Sequence, residues 1–254
     1  MVKVINFSGG KTSALMTILL KPTEDDIVLF CDTGREHPKT YKFINDFEAF
    51  EGINIHRATY EHLRSPGLTG FDALTNWRLF LPTRSKRLCT SELKIDTAKR
   101  YLRSIGITTF ENYIGFRYDE PSRITNRKQR FKRVFDKFPL FDKGIIKSDV
   151  DLYWTQKKYN LEIPSILGNC DLCFLKGKDN IIKILQLYPE LADKWIKDEE
   201  IRQLRSKNRK TNRKNTTYFD DGTRYKDLLI AAQSQKTLFD LENALPAYSC
   251  SCTT

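Results

Sequence analysis

Short apolar runs alternate with helical stretches over the first half of the chain. Residues 2–7 and 26–31 are apolar runs bounded by polar residues, and each predicts a β-strand. Residues 12–20 are largely apolar and predict a buried helix that ends before Pro22. This alternation predicts an α/β fold: a mostly parallel twisted sheet flanked by helices, of the Rossmann-like kind.

The later pattern predicts a change of architecture near the middle of the chain. Strand signals fade after about residue 150, so we predict an α/β domain over residues 1–150 and a helical C-terminal region over residues 151–254. The remaining predicted elements are strands at residues 53–58 and 112–116, and helices at residues 38–50, 91–105 and 180–207, the last broken by Pro189.

Residues 8–13 form the most informative motif, Ser8-Gly9-Gly10-Lys11-Thr12-Ser13, between the first strand and the first helix. Backbone N–H groups at a helix N-terminus attract anions, and glycines allow the backbone to approach phosphate oxygens closely. A Walker A loop would need glycine where Ile5 stands. The motif therefore predicts a phosphate-binding loop of another kind.

A formal net charge of +11 favours anionic partners but does not choose among them. Residues 202–214 hold seven Lys or Arg and no acidic residue. This segment predicts an exposed tail that binds a tRNA or DNA substrate, with a merely solvated charge run as the alternative. The N-terminus leaves no room for a leader, and no apolar run approaches the ~18 residues of a membrane span, so a soluble, cytoplasmic protein without membrane contact is expected.

Five of the six cysteines are candidate metal ligands. Cys170 and Cys173 have ligand-pair spacing, Cys250 and Cys252 form a second close pair, and Cys89 precedes a predicted helix. Thiols in a reducing cytosol serve as metal ligands more often than as disulfides. Spacing does not separate zinc from iron–sulfur, and separate buried cysteines remain an alternative.

The order of several motifs resembles the phosphoadenosine phosphosulfate (PAPS) reductase family of the PP-loop, or adenine-nucleotide α-hydrolase-like, superfamily. The similarity covers roughly residues 1–200. The matching segments are residues 8–13, Asp32-Thr33-Gly34-x-Glu36-x-Pro38-x-Thr40-Tyr41, Arg87-x-Cys89-Thr90-x-x-Leu93-Lys94, Gly115-x-Arg117-x-x-Glu120-x-x-Arg123, Pro139-Leu140, Asp149-Val150 with Tyr153-Trp154, and Ile163-Pro164 with Cys170-x-x-Cys173.

The resemblance implies an enzyme that binds an adenine nucleotide at the C-terminal edge of the sheet. The nucleotide is ATP, with Mg²⁺ as its companion ion, or an adenylyl sulfate (PAPS or APS). ATP would activate a substrate for sulfur transfer and release pyrophosphate, whereas an adenylyl sulfate would be reduced to sulfite; a thiol or sulfur-donor protein is an implied partner. A nucleic-acid-binding or structural protein with a vestigial nucleotide pocket is the alternative.

The resemblance also assigns residues. The implied catalytic residues are Lys11, Asp32, Arg117 and Arg123, and the implied nucleotide-binding residues are Ser8, Gly9, Gly10, Lys11, Thr12, Ser13, Asp32, Thr33, Gly34, Gly115 and Arg117. Solvated surface arginines are the alternative for Arg117 and Arg123. In cluster-bearing relatives, cysteines at the places of Cys89, Cys170 and Cys173 help hold a [4Fe-4S] cluster, so this cluster is favoured over zinc, with Cys250 or Cys252 as fourth ligand.

The thiol reductases of the family carry a nucleophilic cysteine in a Glu-Cys-Gly-x-His setting. The sequence contains no such segment and has Tyr248-Ser249-Cys250-Ser251-Cys252 instead. This departure weighs against sulfonucleotide reduction.

Overall fold

A computed structural model describes residues 1–78, 80–127, 132–168, 170–207 and 216–234 of the protein. Its centre is a five-stranded sheet with the order β3-β2-β1-β4-β5, in which every neighbouring pair is parallel. The strands are β1 Lys3–Asn6, β2 Ile27–Asp32, β3 His56–Thr59, β4 Phe110–Tyr113 and β5 Val134–Lys137. The predicted α/β fold with a mostly parallel sheet is confirmed.

Helices connect the strands and continue after the last one. They are α1 Lys11–Leu20, α2 Pro38–Glu51, α3 Gly70–Trp77, a π-helical segment Cys89–Asp96, α4 Thr97–Ser104, α5 Pro121–Thr125, α6 Pro139–Asp142, α7 Lys147–Thr155, α8 Lys178–Leu187, α9 Ala192–Lys207 and α10 Tyr225–Ser234. The helical character of the second half is confirmed, as is the interruption at Pro189, which begins a short 3₁₀ turn between α8 and α9.

Apolar side chains cover both faces of the sheet. On one face, Ile5 and Phe30 of the strands pack with α1, α2 and α7, whose Trp154 is fully buried. On the other face, Val4 and Leu29 pack with Leu102 of α4. Alternate strand residues thus bury opposite faces, as a sheet covered by helices on both sides requires.

A third apolar cluster lies between α3, the π-helical segment and the C-terminal helices. Its buried members include Phe71 and Leu93 from the first half of the chain, and Trp195 and Tyr225 from the second. The C-terminal helices therefore pack directly on the segments that follow β2 and β3. This packing brings residues from distant parts of the sequence to the same end of the molecule.

Two features of the fold differ from the sequence prediction. The single helix predicted for residues 91–105 is a π-helical segment followed by α4, and Cys89 is the first residue of that segment rather than a residue preceding it. Backbone hydrogen bonds of a π-helix span five residues rather than the four of an α-helix, and the side-chain hydroxyl of Thr97 adds a bond to the carbonyl oxygen of Glu92 at the end of this segment. Strand β5 was not predicted, because Val134–Lys137 contains only two apolar residues and lies at the sheet edge.

The start of the basic segment is also not the exposed tail that was predicted. Arg202 is 3% exposed and its guanidinium donates to the carbonyl oxygen of Thr75. Arg205 donates to the backbone and side-chain oxygens of Asn76. These residues lie in α9, which packs along α3. Residues 208–214 lie outside the described residues. None of the helices that the structure describes is long and apolar enough to cross a membrane.

Glu199 of α9 gives a prediction about stability. Its buried carboxylate accepts the backbone N–H groups of Tyr218 and Tyr225, yet burial raises its pKa from 4.5 to about 7. The folded protein therefore holds this proton more tightly than the unfolded chain does. We expect this group to make the free energy of unfolding fall by about 3 kcal/mol as the pH rises from about 4.5 to 7.

Denaturant unfolding at a series of pH values measures this effect. Glu199→Gln removes the ionisation and should flatten the profile over that range, whereas Glu200→Gln, at an exposed neighbouring position, should leave the wild-type profile unchanged. A Glu199→Gln profile as steep as that of the wild type would contradict the assignment.

Candidate nucleotide-binding site

The chain order of the strands creates a crevice at the C-terminal edge of the sheet. From β1 the chain winds to β2 and β3 on one side, and then returns to β4 and β5 on the other. The order therefore reverses between β1 and β4. Ligands of open parallel sheets bind outside the strand ends at such a switch point.

The segment after β1 makes a tight loop that ends at the N-terminus of α1. Ser13 holds the loop closed, because its Oγ accepts from the backbone N of Ser8 at 3.0 Å and donates to the carbonyl oxygen of Gly10 at 2.9 Å. Gly9 has a φ of +74°, and Gly10 is the N-cap without a side-chain cap hydrogen bond. The first N–H groups of α1 are therefore directed to the crevice, where an anion can accept from them.

Lys11 adds a cation at the first position of α1. Its carbonyl oxygen accepts from Nε1 of Trp154 at 2.9 Å, which fixes the start of α1 against α7. Burial lowers the pKa of the Lys11 amino group, and the carboxylate of Asp151 partly opposes this shift. A partly desolvated ammonium group interacts more strongly with phosphate than a fully hydrated one.

The segment after β2 lies beside this loop and is held by its own hydrogen bonds. Oδ1 of Asp32 accepts from the backbone N of Gly34 at 2.8 Å and from the hydroxyl of Tyr41 at 2.7 Å. Gly34 has a φ of +73°, which allows the turn. The Asp32 bond and burial both raise the pKa of Tyr41, so this hydroxyl remains a proton donor to the carboxylate.

Helix α3 supports the same segment from outside. The backbone N of Phe71 donates to the carbonyl oxygen of Thr33 at 2.9 Å. Gly70 has a φ of +55°, and a Cβ at this position would lie 2.4 Å from the same oxygen. Only glycine therefore allows α3 to contact the segment after β2 so closely.

The segment after β4 completes the crevice on the other side of β1. A Cβ on Gly115 would lie 3.6 Å from Cα of Ser13, so the two segments are adjacent at the start of α1. Arg117 and Arg123 both pair with Glu120, Nη1 of Arg123 at 2.9 Å and Nη1 of Arg117 at 3.5 Å, and Nε of Arg117 also pairs with Asp119 at 2.9 Å. Their side chains are only 14% and 15% exposed, so neither is a solvated surface arginine.

A buried carboxylate lies behind the β2 segment. Oε1 of Glu36 accepts from the Thr33 hydroxyl at 3.1 Å and lies 3.9 Å from Sγ of Cys170, while its Oε2 has no hydrogen-bond partner within the described part of the chain. Burial raises the pKa of Glu36, and the nearby Lys94 ammonium opposes this shift. The Cys170 thiol is thereby placed next to a residue of the predicted nucleotide site.

Only part of the predicted metal centre lies within the described residues. Cys89 and Cys173 are buried and Cys170 is partly buried, but the described residues contain no group of three His, Cys, Asp or Glu side chains able to hold a metal ion. Cys250 and Cys252 lie outside the described residues. The described thiols alone do not provide a four-thiolate site, so the iron–sulfur cluster and the zinc ion both remain predictions.

The predicted catalytic and nucleotide-binding residues thus lie at the C-terminal ends of three adjacent strands: residues 8–13 after β1, Asp32 at the end of β2 with Thr33 and Gly34 after it, and Gly115, Arg117 and Arg123 after β4. Sequence reasoning missed Glu120 as the carboxylate that holds both arginines, although its spacing of three residues from each was a usable signal. It also missed Gly70, which carries no local sequence signal of its role.

The chain matches a known protein family over the part that contains these residues. Residues 3–162 match the model of the phosphoadenosine phosphosulfate reductase domain, a span that contains every one of these predicted site residues. The chain belongs to the PAPS reductase family. The family is generally enzymatic and binds adenine nucleotide substrates. Membership therefore supports a sulfonucleotide reductase-like or related PP-loop function.

Individual proteins and one solved structure resemble the chain at lower identity. It is 28% identical over 205 residues to the nin region protein ORF290 of Escherichia phage lambda, covering 71% of this chain and 68% of that protein. It is 27% identical over 206 residues to MJ0973 of Methanocaldococcus jannaschii, covering 75% of this chain but only 46% of that longer protein. A crystal structure of the PAPS reductase from Candida auris, a phosphate complex, matches with a TM-score of 0.42 and 16% identity, over 61% of this chain and 73% of that one.

Proposed function

We propose that this PAPS reductase-family protein binds ATP in the switch-point crevice and activates an acceptor substrate by transfer of the adenylyl group. The observation that carries the proposal is the convergence of the α1 N-terminus with two arginines that one carboxylate holds. Oriented N–H groups and forked guanidinium groups are the donors that phosphate oxygens accept from. No Glu-Cys-Gly-x-His segment for reduction is present in the sequence.

The reaction needs charge stabilisation more than covalent help from the protein. A nucleophilic atom of the acceptor attacks the α-phosphorus, the bond from that phosphorus to the bridging oxygen breaks, and the electron pair leaves with pyrophosphate. Lys11 and the N–H groups of α1 are placed to stabilise the charge that develops on the phosphate oxygens. Arg117 and Arg123, oriented by Glu120, are placed to bind the opposite side of the phosphate chain.

Sulfonucleotide reduction is the second candidate, and the position of Cys170 favours it. Its Sγ lies 3.8 Å from Oγ1 of Thr33, a buried residue of the segment after β2. In that reaction a thiolate attacks the sulfur of the adenylyl sulfate and displaces the nucleotide phosphate, which leaves a cysteine S-sulfonate. A thiol donor then releases sulfite with formation of a disulfide.

Two product assays on the purified, anaerobically prepared protein separate the candidates. Release of pyrophosphate from ATP in the presence of an acceptor supports adenylation, and sulfite from PAPS or APS with a thiol donor supports reduction. Tight nucleotide binding without either product would contradict both reactions, and absence of nucleotide binding would contradict the crevice assignment itself.

Arg117→Ala tests the crevice under either reaction. We expect a fall of about 10²-fold in kcat/KM, because a charge-assisted contact to the reacting phosphate is lost and Glu120 loses one of its partners. Arg103→Ala removes the same side chain from an exposed position on α4 and should leave kcat/KM unchanged. Equal rates for the two variants would show that Arg117 does not contact the nucleotide.

A further inference from the structure

A groove bordered mainly by charged and polar residues lies between α3 and α9, close to the segment after β2. Its volume is about 320 Å³. One wall consists of Asp72, Thr75 and Asn76 of α3, and Arg35 and Leu68 also border the space. The other wall is a single face of α9 with the residues Lys194, Lys197, Asp198, Ile201 and Arg205.

The charges of this groove do not balance. Nη2 of Arg35 pairs with Asp198 at 2.7 Å and with Asp72 at 2.9 Å, so the two acidic residues of the lining are already engaged by the buried guanidinium. Lys194 and Lys197 are exposed, and no described carboxylate pairs with either. Within the described part of the chain, Arg205 donates to the uncharged oxygens of Asn76 and pairs with no carboxylate.

The walls of the groove are fixed by buried polar contacts. Arg202 joins α9 to the carbonyl oxygen of Thr75 in α3. Oδ2 of Asp198 also accepts from the buried hydroxyl of Tyr218 at 2.6 Å. Arg35 is 3% exposed, and its Nη1 has no hydrogen-bond partner among the described residues. Together with its partners Asp72 and Asp198 this guanidinium forms a group of net charge −1, so the positive charge of the groove comes from Lys194, Lys197 and Arg205.

The spacing of the cations along α9 suits a polyanion whose charges repeat at regular intervals. Lys194 and Arg205 are eleven residues apart in α9, which corresponds to about 16 Å along the helix axis. One strand of B-form DNA presents about five phosphates over that length. The lining contains no aromatic ring on which a base could stack. The groove is therefore suited to contact a backbone without reading its bases.

The groove also begins at the nucleotide crevice. Arg35 directly follows Gly34, and Asp72 directly follows Phe71, whose backbone N donates to the carbonyl oxygen of Thr33.

We propose that the groove between α3 and α9 binds the phosphodiester backbone of a nucleic-acid strand. The role of that strand as the acceptor of the adenylyl group rests on the reaction proposed above. Binding itself does not depend on that reaction, because the groove residues are separate from Lys11, Arg117 and Arg123.

The test is fluorescence anisotropy of the full chain with labelled mixed-sequence oligonucleotides, single-stranded and duplex, between about 50 and 200 mM salt. The double variant Lys194→Glu/Lys197→Glu should bind at least about 10-fold more weakly. Its log Kd against log salt slope for the single strand should be smaller by about 1.4, the value for two lost phosphate contacts. The control Lys158→Glu/Lys226→Glu makes the same charge change at exposed positions outside the groove and should bind within about twofold of the wild type.

Equal weakening by both double variants would overturn the proposal, because net charge alone would then explain binding. Absence of oligonucleotide binding by the wild type, or preference for poly-glutamate over the oligonucleotides, would also overturn it. Thermal unfolding of both double variants is compared with that of the wild type to test whether each keeps the fold. Pyrophosphate release is measured as well, and its retention in the groove variant separates failure of the groove assignment from failure of the proposed reaction. If the protein binds oligonucleotides through the groove but releases no pyrophosphate, the groove assignment still stands.

Discussion

Gly9→Ala is expected to lower the affinity for the adenine nucleotide by at least about 10²-fold. Gly9 has a φ of +74°, and a Cβ there would lie 2.6 Å from Cγ2 of Thr40 and 3.3 Å from Cδ1 of Ile44. Both of these side chains are buried in α2 and cannot move away cheaply. The loop would shift instead, and a displacement of about 1 Å at an anion site is enough for a loss of this size.

Isothermal titration with ATP or PAPS measures this effect, and denaturant unfolding shows whether the fold persists. Gly106→Ala is the matched control: its φ is +81°, no atom lies within 4 Å of the added Cβ, and it precedes β4 at the opposite edge of the sheet. It should cost about 1–2 kcal/mol of stability from backbone strain and keep the wild-type nucleotide affinity. Unchanged affinity in Gly9→Ala would mean that the loop does not hold the nucleotide.

Gly70→Ala is expected to reduce the free energy of unfolding by about 2–5 kcal/mol. The positive φ of Gly70 contributes about 1–2 kcal/mol of strain, and the contact of 2.4 Å with the carbonyl oxygen of Thr33 adds about 1–3 kcal/mol of overpacking. That oxygen belongs to backbone and also accepts from the backbone N of Phe71. Relief of the clash must therefore separate α3 from the segment after β2 and should weaken nucleotide binding as well.

Gly67→Ala separates strain from the clash. Gly67 has a φ of +75° in the loop just before α3, but no atom lies within 4 Å of its added Cβ. Urea unfolding of the two variants should therefore differ by the overpacking contribution alone. If Gly67→Ala and Gly70→Ala were equally stable, close contact between α3 and Thr33 would not be a requirement of the fold.

The positions of the predicted site residues follow from general rules, but their partners do not. A strand, a glycine-rich turn and a helix together predict an anion site, and parallel topology predicts that segments after neighbouring strands meet. That reasoning correctly placed Arg117 at the same edge as residues 8–13. It did not show that Arg117 and Arg123 share Glu120 or that both are largely buried, because burial depends on packing between elements.

The basic segment shows the opposite outcome. Charge alone made residues 202–214 look like a solvated or nucleic-acid-binding tail, and periodicity did predict a helix over their beginning. Only packing against α3 reveals that Arg202 is a buried structural donor. A run of like charges therefore contained residues with different physical roles.

The sequence by itself determined the fold class, the family and the glycine-rich loop between β1 and α1, because strand and helix periods, glycine positions and motif order are local properties of a chain. The tertiary structure decided which of the two loop glycines is sterically required: Gly9 faces Thr40 of α2, whereas a Cβ on Gly10 would meet nothing closer than Oγ of Ser8 at 3.7 Å. It also decided that Gly70 supports the site and that a charged groove adjoins it. These properties depend on distances between residues far apart in the chain, which the order of amino acids does not display.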